Sequence, residues 1–556
     1  MKRNQFLHIL FLATSLLMTT ACEETLTEQP DSYYERKDYF TTAEKADMAI
    51  IGIYNVLPSL YGSKDGMAIP CSDDMYYVYG TGSDNTRRDL AHYTVRPSNQ
   101  WVNDVWKGKY TCINRANYSI SGIESMKGYS KDDKLQALVA EAKFLRAQSA
   151  FDLVRYWGDV PFKTTYSAKY EDAYQPRTDR ETIYDQIIED LTFAGGHMPW
   201  ATVSTSPERA SQGAARALLM RVLLTRAGYS LQPDGKITQP EESERQSYYK
   251  AVIKQWEAFQ SQGGYHGFYD GGYAALFKDF SAGKLGSKES LFEVAFYYPG
   301  TNGCWGTYIG GLVDAPSTSA DANSVMGRAA VNFRVIPEWK KFFDEKDERR
   351  DIAICTYTWK WNAALQTHEK VESSASNWTP GKWRREWMPI GYKEPNYTDV
   401  NFCLLRYADV VLMAAEAYNE IGNTPKAWEL LNSVRRRAGA TEITSANYAS
   451  LLKAPKVFNL DFINDEEEKG KFHTALYWER GFELAFESQR KYDLIRWGIM
   501  KEAVQLFGEK TQLNTSTRVT YPAGTNFQKG KHELLPIPED EIQINYKLEK
   551  KNNPGY

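Results

Sequence analysis

The sequence of 556 residues predicts a mostly α-helical protein in which paired helices carry an irregular, loop-rich region. Two observations lead to this fold class. Before residue 265 and after residue 400, apolar residues recur at three- and four-residue steps, which is the spacing of one helix face. Between 265 and 400 this period is lost, and Gly, Trp, Tyr, Ser and Asn dominate. No repeat of fixed length is visible, so the helical array is predicted to be irregular.

The N-terminus has the pattern of an export signal. Two basic residues precede an apolar run from Phe6 to Met18, which is short for a bilayer span, and small residues then lead to Cys22. We therefore predict a lipoprotein signal peptide at 1–21 and Cys22 as the lipid anchor. The alternative is an ordinary signal peptide before an incidental cysteine, because Thr19 stands where lipoboxes usually have Leu. The polar segment 22–35 is predicted to be a tether.

The clearest helical pattern follows the tether, at 131–162. Its apolar face indicates a helix that starts near Asp132 or Asp133 and is ended by Gly158 and Pro161. The short link GNTPK joins one predicted pair of helices. Further helices are predicted at 181–191, 214–227, 407–421, 427–438, 477–489 and 491–507, with a short one near 337–344.

The remaining composition excludes several classes of protein. A net charge of −4 gives no electrostatic reason to expect nucleic acid as a partner. Seven scattered histidines, without an HExxH motif, make a zinc hydrolase improbable, and no nucleophile elbow or phosphate-binding loop motif occurs. Five widely spaced cysteines follow Cys22, and they are predicted to be small buried side chains. We therefore predict no metal site and no cofactor, whereas the 71 acidic residues leave open a pair of carboxylates for glycoside cleavage.

Aromatic residues are abundant at 14% of the chain, and some are clustered in polar surroundings. The stretch YYVYGTGSDNTRRDLAHY at 76–93 sets four tyrosines among Gly, Ser, Asp, Asn and Arg, with neither a helical nor a strand period. Because this segment is too polar for the core, we expect its rings to lie in loops that are open to solvent.

Nine stretches, in order along the chain, together resemble one family, the SusD/RagB-like outer-membrane nutrient-binding lipoproteins of Bacteroidota. They are DYFTTAEKADMAIIGIYN (38–55), EAKFLRAQSAFDLVRYWGDVPF (141–162), RETIYDQIIEDLTFA (180–194), AARALLMRVLLTRA (214–227), RYADVVLMAAEAYNE (406–420), LLNSVRRRAGA (430–440), ERGFELAFESQRKYDLIRWG (479–498), LLPIPEDEIQIN (534–545) and NNPGY (552–556).

The resemblance implies a platform of tetratricopeptide-like helical hairpins with an irregular, ligand-facing lobe. On this basis we expect an N-terminal helical region at 36–264, a loop-rich ligand-facing region at 265–400 and a C-terminal helical region at 401–556. The family captures glycans, or sometimes peptides, at the cell surface, so the resemblance implies a binding protein without enzymatic activity. The rings at 76–93 can then cover the aliphatic C–H face of a sugar, while Asp, Asn and Arg bond its hydroxyls. The family passes its ligands to a SusC-like TonB-dependent transporter, so the expected location is the outer membrane, through the lipid anchor.

The family's binding residues vary with the ligand, so candidate ligand-binding residues are chosen by type and position alone. They are Asp73, Asp74, Tyr76, Tyr77, Arg88, Tyr93, Trp101, Trp305 and Tyr308. Additional possibilities are Tyr79, Arg87, Trp359, Trp361, Trp378, Trp383 and Trp387, whereas the helical pattern assigns Trp106 to the core. Two alternatives stay open: a surface-anchored helical glycoside hydrolase, for which Glu483 or Glu487 could be catalytic, and a peptide-binding member of the same family.

Overall fold

Long helices that pack as successive neighbours form the main body of the protein. The computed structural model describes residues 39–78, 80, 82–297, 299–301, 303–314, 326–389, 396–451, 467–507 and 521–556. The helices are α1 (Ala43–Tyr54), α2 (Arg87–Ala91), α3 (Gln100–Glu124), α4 (Asp133–Trp157), α5 (Arg180–His197), α6 (Gln212–Ala227), α7 (Glu242–Ser261), α8 (Gly272–Ser281), α9 (Glu338–Phe342), α10 (Arg349–Ala353), α11 (Tyr407–Glu420), α12 (Thr424–Arg437), α13 (Tyr448–Leu451), α14 (Glu468–Glu483), α15 (Arg490–Arg496), α16 (Met500–Leu506), α17 (Pro522–Asn526) and α18 (Glu539–Ile544).

The packing order of the long helices follows the chain. Each of α3 to α6 packs against the next helix, α7 packs on α11, and α11 pairs with α12, while α14 lies against both. This is an array of helical hairpins, and it confirms the predicted mostly α fold. Because α7 and α11 are direct neighbours, the residues between them project from the array as one long excursion.

Local sequence explains where the best-defined helices begin and end. The Asp132 side chain accepts hydrogen bonds from the backbone N–H groups of Lys134 and Leu135, and Gly158 ends α4 with a positive φ of 72°. In the link between α11 and α12, the Asn423 side chain caps α12. Both predicted helices are confirmed to within a few residues.

The predicted helix at 477–489 is wrong at its C-terminal end. Helix α14 stops at Glu483, and Phe486 and Ser488 then adopt positive φ angles of 64° and 66°. Non-glycine residues in this conformation cannot continue a right-handed helix. The turn redirects the chain into α15, which brings Arg490 back into the core.

The excursion between α7 and α11 is more ordered than its composition suggests. Besides α8, α9 and α10, it contains seven short strands before residue 402 within its described residues: β6 (Ser290–Val294), β7 (Leu312–Val313), β8 (Phe333–Val335), β9 (Ile354–Cys355), β10 (Tyr357–Asn362), β11 (Thr367–Glu372) and β12 (Thr379–Pro380). The sequence predicted one short helix in this region and no strands, because strands of two to six residues give no measurable period.

Small sheets join this excursion to the rest of the chain. The other strands are β1 (Met75–Tyr77), β2 (Val160–Pro161), β3 (Arg177–Thr178), β4 (Ser230–Leu231), β5 (Ile237–Thr238) and β13 (Phe402–Arg406). Strand β1 pairs antiparallel with β8, with Tyr77 opposite Phe333, and β13 pairs antiparallel with β6. Strand β10 lies between β11 and β7, and β2–β3, β4–β5 and β9–β12 form the other pairs.

One large apolar cluster contains residues from nearly every long helix and from the excursion. Trp106 is 2% exposed, as predicted from its helical spacing. Cys71, Cys112, Cys304, Cys355 and Cys403 are all buried and free, which confirms their predicted role as small buried side chains. None of the helices in the described ranges combines the length and apolarity needed to cross a bilayer.

Candidate functional site

Three aromatic rings from three separate segments surround the guanidinium group of Arg87. Its central carbon lies 5.8 Å from the ring centroid of Tyr77, 5.8 Å from that of Trp101 and 5.4 Å from that of Tyr308. Arg88 lies 5.9 Å from the Tyr77 ring. We call Tyr77, Arg87, Arg88, Trp101 and Tyr308 the arginine cluster. The structure therefore brings together four of the nine predicted site residues and adds Arg87 at their centre.

The members of the arginine cluster are exposed to different degrees. Tyr77 is buried, whereas Arg87, Arg88, Trp101 and Tyr308 are half-buried and keep part of their surface in contact with solvent. The Tyr77 hydroxyl accepts a hydrogen bond from Nε of Arg87 at 3.1 Å, and Nη1 of Arg88 donates to the Gly82 carbonyl at 2.7 Å. Tyr77 thus orients Arg87 from the buried side of the cluster. The rings of Trp101 and Tyr308 remain partly exposed at the surface.

Arg87 remains charged in this environment. Burial lowers the pKa of its guanidinium group, but the phenolic oxygens of Tyr77 and Tyr308 outweigh burial and raise the pKa above its usual value. A guanidinium group beside aromatic faces is stabilised by about 0.5–2 kcal/mol per contact. The cluster therefore offers fixed N–H donors beside apolar ring faces, which is the combination that binds a polyhydroxylated ring or a planar polar group.

Tyr308 reaches the cluster from a tight turn that is anchored on Trp305. Backbone N–H groups of Thr307 and Tyr308 donate to the Cys304 carbonyl, and that of Asn332 donates to the Tyr308 carbonyl. Trp305 is fully buried, with its ring 4.3 Å from Phe402 and nearly parallel to it. This corrects the expectation that Trp305 faces a ligand, because its ring fills the core beneath the turn and has no surface to offer.

Asp73 and Asp74 are also buried, contrary to the expectation that they bond a ligand. Asp73 accepts two hydrogen bonds of 2.9 Å from Arg490. Asp74 accepts from the Phe486 backbone N–H at 3.2 Å and from the Ser72 hydroxyl. Burial, with a smaller contribution from Asp73, raises the pKa of Asp74 to about 6. Both carboxylates fix the start of β1 to the turn between α14 and α15.

Tyr76 and Tyr93 hold the same segment from its other sides. Tyr76 is 8% exposed, packs edge-on against Tyr521 and donates to the Ser376 carbonyl. Tyr93 is 4% exposed and donates to the Cys71 carbonyl at 2.6 Å. Both rings are packed against other residues inside the protein. This corrects the expectation that Tyr76 and Tyr93 contact a ligand. Tyr79 lies outside the described residues.

The additional tryptophans line the excursion and are tied to it. Trp383 is 1% exposed, and Trp359, Trp361, Trp378 and Trp387 are half-buried. Trp359 Nε1 and the Tyr357 hydroxyl both donate to Glu386, and Arg384 lies 4.6 Å from the Trp387 ring centroid. These contacts organise β10 and its neighbours, at a different place from the arginine cluster.

Some exposed residues were missed by sequence reasoning. Tyr170 and Tyr546 are 69% and 71% exposed and lie on either side of Tyr174, with ring centroids 5.1 Å and 5.7 Å from it. No sequence pattern indicates this group, because its members come from distant segments without a helical or strand period. Among the described residues, no group of three or more His, Cys, Asp or Glu side chains is placed to hold a metal ion.

Two models of known protein families match this chain. A model described as "SusD family" matches residues 337–556, and one described as "Starch-binding associating with outer membrane" matches residues 26–224. The chain belongs to the SusD-like family. The two matched ranges take in both ends of the helical array, and the stretch between them, 225–336, holds α7, α8 and the Tyr308 turn.

Individual relatives of this SusD-like chain match along nearly their whole length. SusD-like protein P25 from Formosa agariphila is 26% identical over 560 residues, which covers 96% of this chain and 97% of the relative. SusD-like protein P2 from the same organism is also 26% identical, with 97% and 98% covered.

Solved structures show the same fold. A SusD homolog from Bacteroides thetaiotaomicron superposes with a TM-score of 0.78 at 27% identity, covering 94% of this chain and 98% of that one. Surface glycan-binding protein A from Bacteroides thetaiotaomicron, in complex with laminarihexaose, superposes with a TM-score of 0.66 at 18% identity, with 93% and 100% covered.

Proposed function

We propose that this protein is a surface glycan-binding lipoprotein that captures an oligo- or polysaccharide with the arginine cluster. In this proposal it delivers the glycan to a SusC-like TonB-dependent transporter in the outer membrane. The observation that carries the proposal is the half-exposed arrangement of Trp101 and Tyr308 around Arg87. Family membership supports the proposal. So do two structural neighbours: surface glycan-binding protein A in complex with laminarihexaose, and a protein described as a laminarin-binding SusD-like protein.

The chemistry of capture follows from the side chains of the cluster. Trp101 and Tyr308 supply ring faces for the C–H surfaces of sugar rings, and Arg87 and Arg88 supply N–H donors for hydroxyl oxygens. Stacking on one aromatic ring is worth ~1–3 kcal/mol for nucleobases, which is the analogous case. Two rings with a few hydrogen bonds then give affinities on the order of micromolar to millimolar, which allow release to a transporter. Asp73, Asp74, Tyr76, Tyr93 and Trp305 are assigned to the support beneath the cluster.

We infer that the protein binds its glycan without cleaving it. Cleavage of a glycosidic bond needs two carboxyl groups flanking the bond. The acidic residues next to the cluster are engaged with backbone: Asp84 accepts from the N–H groups of Thr86 and Arg88, and Asp89 from that of Asn85. Glu483 and Glu487, the catalytic candidates of the alternative, are bound by buried arginines.

Binding is tested by affinity electrophoresis against a panel of plant, algal and host polysaccharides, followed by calorimetry with the best ligand. Trp101→Ala and Tyr308→Ala are each expected to weaken binding about 5- to 100-fold, by the stacking energy above. Tyr170→Ala is the matched control, because it removes an exposed tyrosine ring that is not one of the rings beside Arg87. This variant should bind glycan as the unaltered protein does.

Other outcomes discriminate between the alternatives. Retardation by no glycan, together with binding of peptides, would overturn the sugar assignment in favour of a peptide-binding SusD-like protein. Release of reducing ends from a bound polysaccharide would establish a hydrolase. Equal loss of binding in Tyr170→Ala and Trp101→Ala would remove the arginine cluster from the proposal.

The lipid anchor and the transporter are tested separately, because Cys22 lies outside the described residues. Labelling with radioactive palmitate is expected to mark the unaltered protein, and Cys22→Ala is expected to lose the label and leave the membrane fraction. A tagged protein solubilised in mild detergent is expected to co-purify with a TonB-dependent transporter at a fixed ratio. Absence of the palmitate label would contradict the lipid anchor. Purification without a TonB-dependent transporter would contradict the proposed partnership.

A further inference from the structure

A second recess, which shares no lining residue with the arginine cluster, lies where the end of α8 meets β6 and the stretch 399–401. It is a cavity of about 290 Å³. Its apolar lining comes from Phe280, Phe296 and Val400, all nearly buried, and Leu285 and Met388 lie at its rim. A volume near 300 Å³ is at the lower end of the range for small-molecule sites, so it suits a ligand the size of one sugar or a short amine. We call it the Glu293 cavity.

Glu293 and Asn401 give this cavity a fixed polar side. The Asn401 amide oxygen accepts a hydrogen bond from the Phe296 backbone N–H at 3.0 Å, which determines the orientation of the amide. Its NH₂ group therefore donates to two carboxylates at once, to Glu208 Oε1 at 2.9 Å and to Glu293 Oε2 at 3.0 Å.

Two buried polar atoms in the lining lack a partner. Glu293 is 2% exposed, and its other oxygen, Oε1, accepts no hydrogen bond; Ser281 is 1% exposed, and its hydroxyl has no partner either. Buried polar side-chain atoms are hydrogen-bonded in the large majority of native proteins. Two such atoms on residues that line one cavity therefore indicate that something entering the cavity completes their hydrogen bonding.

The charge of the lining selects the kind of group. Glu208, Glu293 and Asp399 bring three carboxylates to the cavity. Lys284, its one lining cation among the described residues, is paired with Asp279 at 2.8 Å. Ser281 is also the last residue of α8, and the C-terminus of a helix carries partial negative charge. Each of these features favours a cation that donates hydrogen bonds.

We propose that the Glu293 cavity binds the ammonium group of a small primary amine, with Glu293 and Ser281 as its acceptors. An ammonium group has three N–H donors and no acceptor, which matches a lining of carboxylate and hydroxyl oxygens. Phe280 and Phe296 then cover the carbon skeleton of the ligand. The same chemistry is offered by an amino sugar and by a lysine side chain, and the inference holds independently of glycan capture by the arginine cluster.

The protonation of Glu293 agrees with this assignment. Burial, with a smaller contribution from the neighbouring Glu208 charge, raises the pKa of Glu293 to about 7, although Ser290 and Asn401 oppose the shift. A bound ammonium group favours the ionised carboxylate, so binding is expected to release a proton when it occurs below pH 7.

The test uses the full-length mature protein and compares amines with isosteres that lack the charge. Calorimetry or ligand-observed NMR at pH 7.5 is carried out with n-butylamine against 1-butanol, and with D-glucosamine against D-glucose. Nα-acetyl-lysine amide is the peptide-like arm. The amines are expected to bind at least 10-fold more tightly than their isosteres, and the tighter of glucosamine and the lysine derivative identifies the natural source of the amine.

Variants assign the binding to the cavity. Glu293→Gln is expected to weaken amine binding at least 10-fold, and Ser281→Ala at least 3-fold. Glu189→Gln, an exposed glutamate on α5, is the matched control and should bind the amines normally. Equal binding of amine and isostere by the unaltered protein overturns the proposal even if no variant folds. Binding that survives both cavity variants also overturns it.

Discussion

At the scale of single residues, Glu483 shows how a carboxylate in this protein is kept ionised. It is fully buried, yet it accepts hydrogen bonds from Arg349 at 3.1 Å, from Arg406 at 2.9 Å and from Arg437. Burial alone would raise its pKa, but Arg437, Arg406 and Arg349 together hold the pKa well below its usual value. A carboxylate that stays ionised and has no access to solvent holds three guanidinium groups together.

We predict that Glu483→Gln lowers the free energy of unfolding by about 3–5 kcal/mol, because it leaves buried arginine charges without their partner. Urea titration followed by tryptophan fluorescence measures the change. Glu189→Gln serves as the exposed control and should stay within about 0.5 kcal/mol of the unaltered protein. If Glu483→Gln instead left stability unchanged and abolished a catalytic activity, the structural assignment of Glu483 would be wrong.

At the scale of elements, the Tyr308 turn depends on one close backbone approach. Gly310 has a φ of 133°, and a Cβ atom added there would lie 1.9 Å from the Trp383 carbonyl oxygen. Since Trp383 also packs 4.5 Å from Trp305, the turn, Trp383 and the core beneath form one stack. Glycine at 310 is what lets the turn lie flat on this stack and present Tyr308 to Arg87.

Replacing that glycine tests whether the turn is the support of the cluster. Gly310→Ala is expected to cost at least about 1–3 kcal/mol from backbone strain alone, and to weaken glycan binding although residue 310 contacts no member of the cluster. Gly264→Ala is the control, since a Cβ atom there meets nothing within 4 Å. Unchanged glycan affinity in a destabilised Gly310→Ala protein would show that Tyr308 keeps its place without the turn.

Elements also show what the sequence could and could not predict. Helix α4 was predicted closely because its period and caps are local features of the sequence. Tyr76 and Tyr93 in segment 76–93 were misjudged because the rings that bury them come from a distant part of the chain: Tyr76 packs against Tyr521, and Tyr93 packs against Phe527. Trp101 and Tyr308 were chosen by residue type and position, and both lie beside Arg87, whereas Trp305, three positions from Tyr308, is part of the core. Glu293 was missed because a single acid in the strand SLFEV gives no pattern.

At the scale of the whole molecule, the C-terminal residues close the helical array onto its N-terminal half. Asn553 is 3% exposed, and its amide donates to the Trp157 carbonyl at 3.0 Å and to the Leu535 carbonyl at 2.8 Å. Its amide oxygen accepts from Arg177 at 2.8 Å. One side chain therefore joins the end of α4, strand β3 and the C-terminal segment, which belong to the two separately matched family ranges.

This contact predicts that both halves unfold together. Asn553→Ala removes the donor from two carbonyls, each costing about 1–3 kcal/mol if left unpaired, so we expect a loss of about 2–4 kcal/mol in the free energy of unfolding. Urea titrations followed by tryptophan fluorescence and by far-UV circular dichroism should shift by the same amount. Lys551→Ala, an exposed neighbour, should leave both curves in place. If Asn553→Ala separated the two curves into distinct transitions, the N- and C-terminal helical regions would be independent folding units, and the single apolar cluster would not be what unites them.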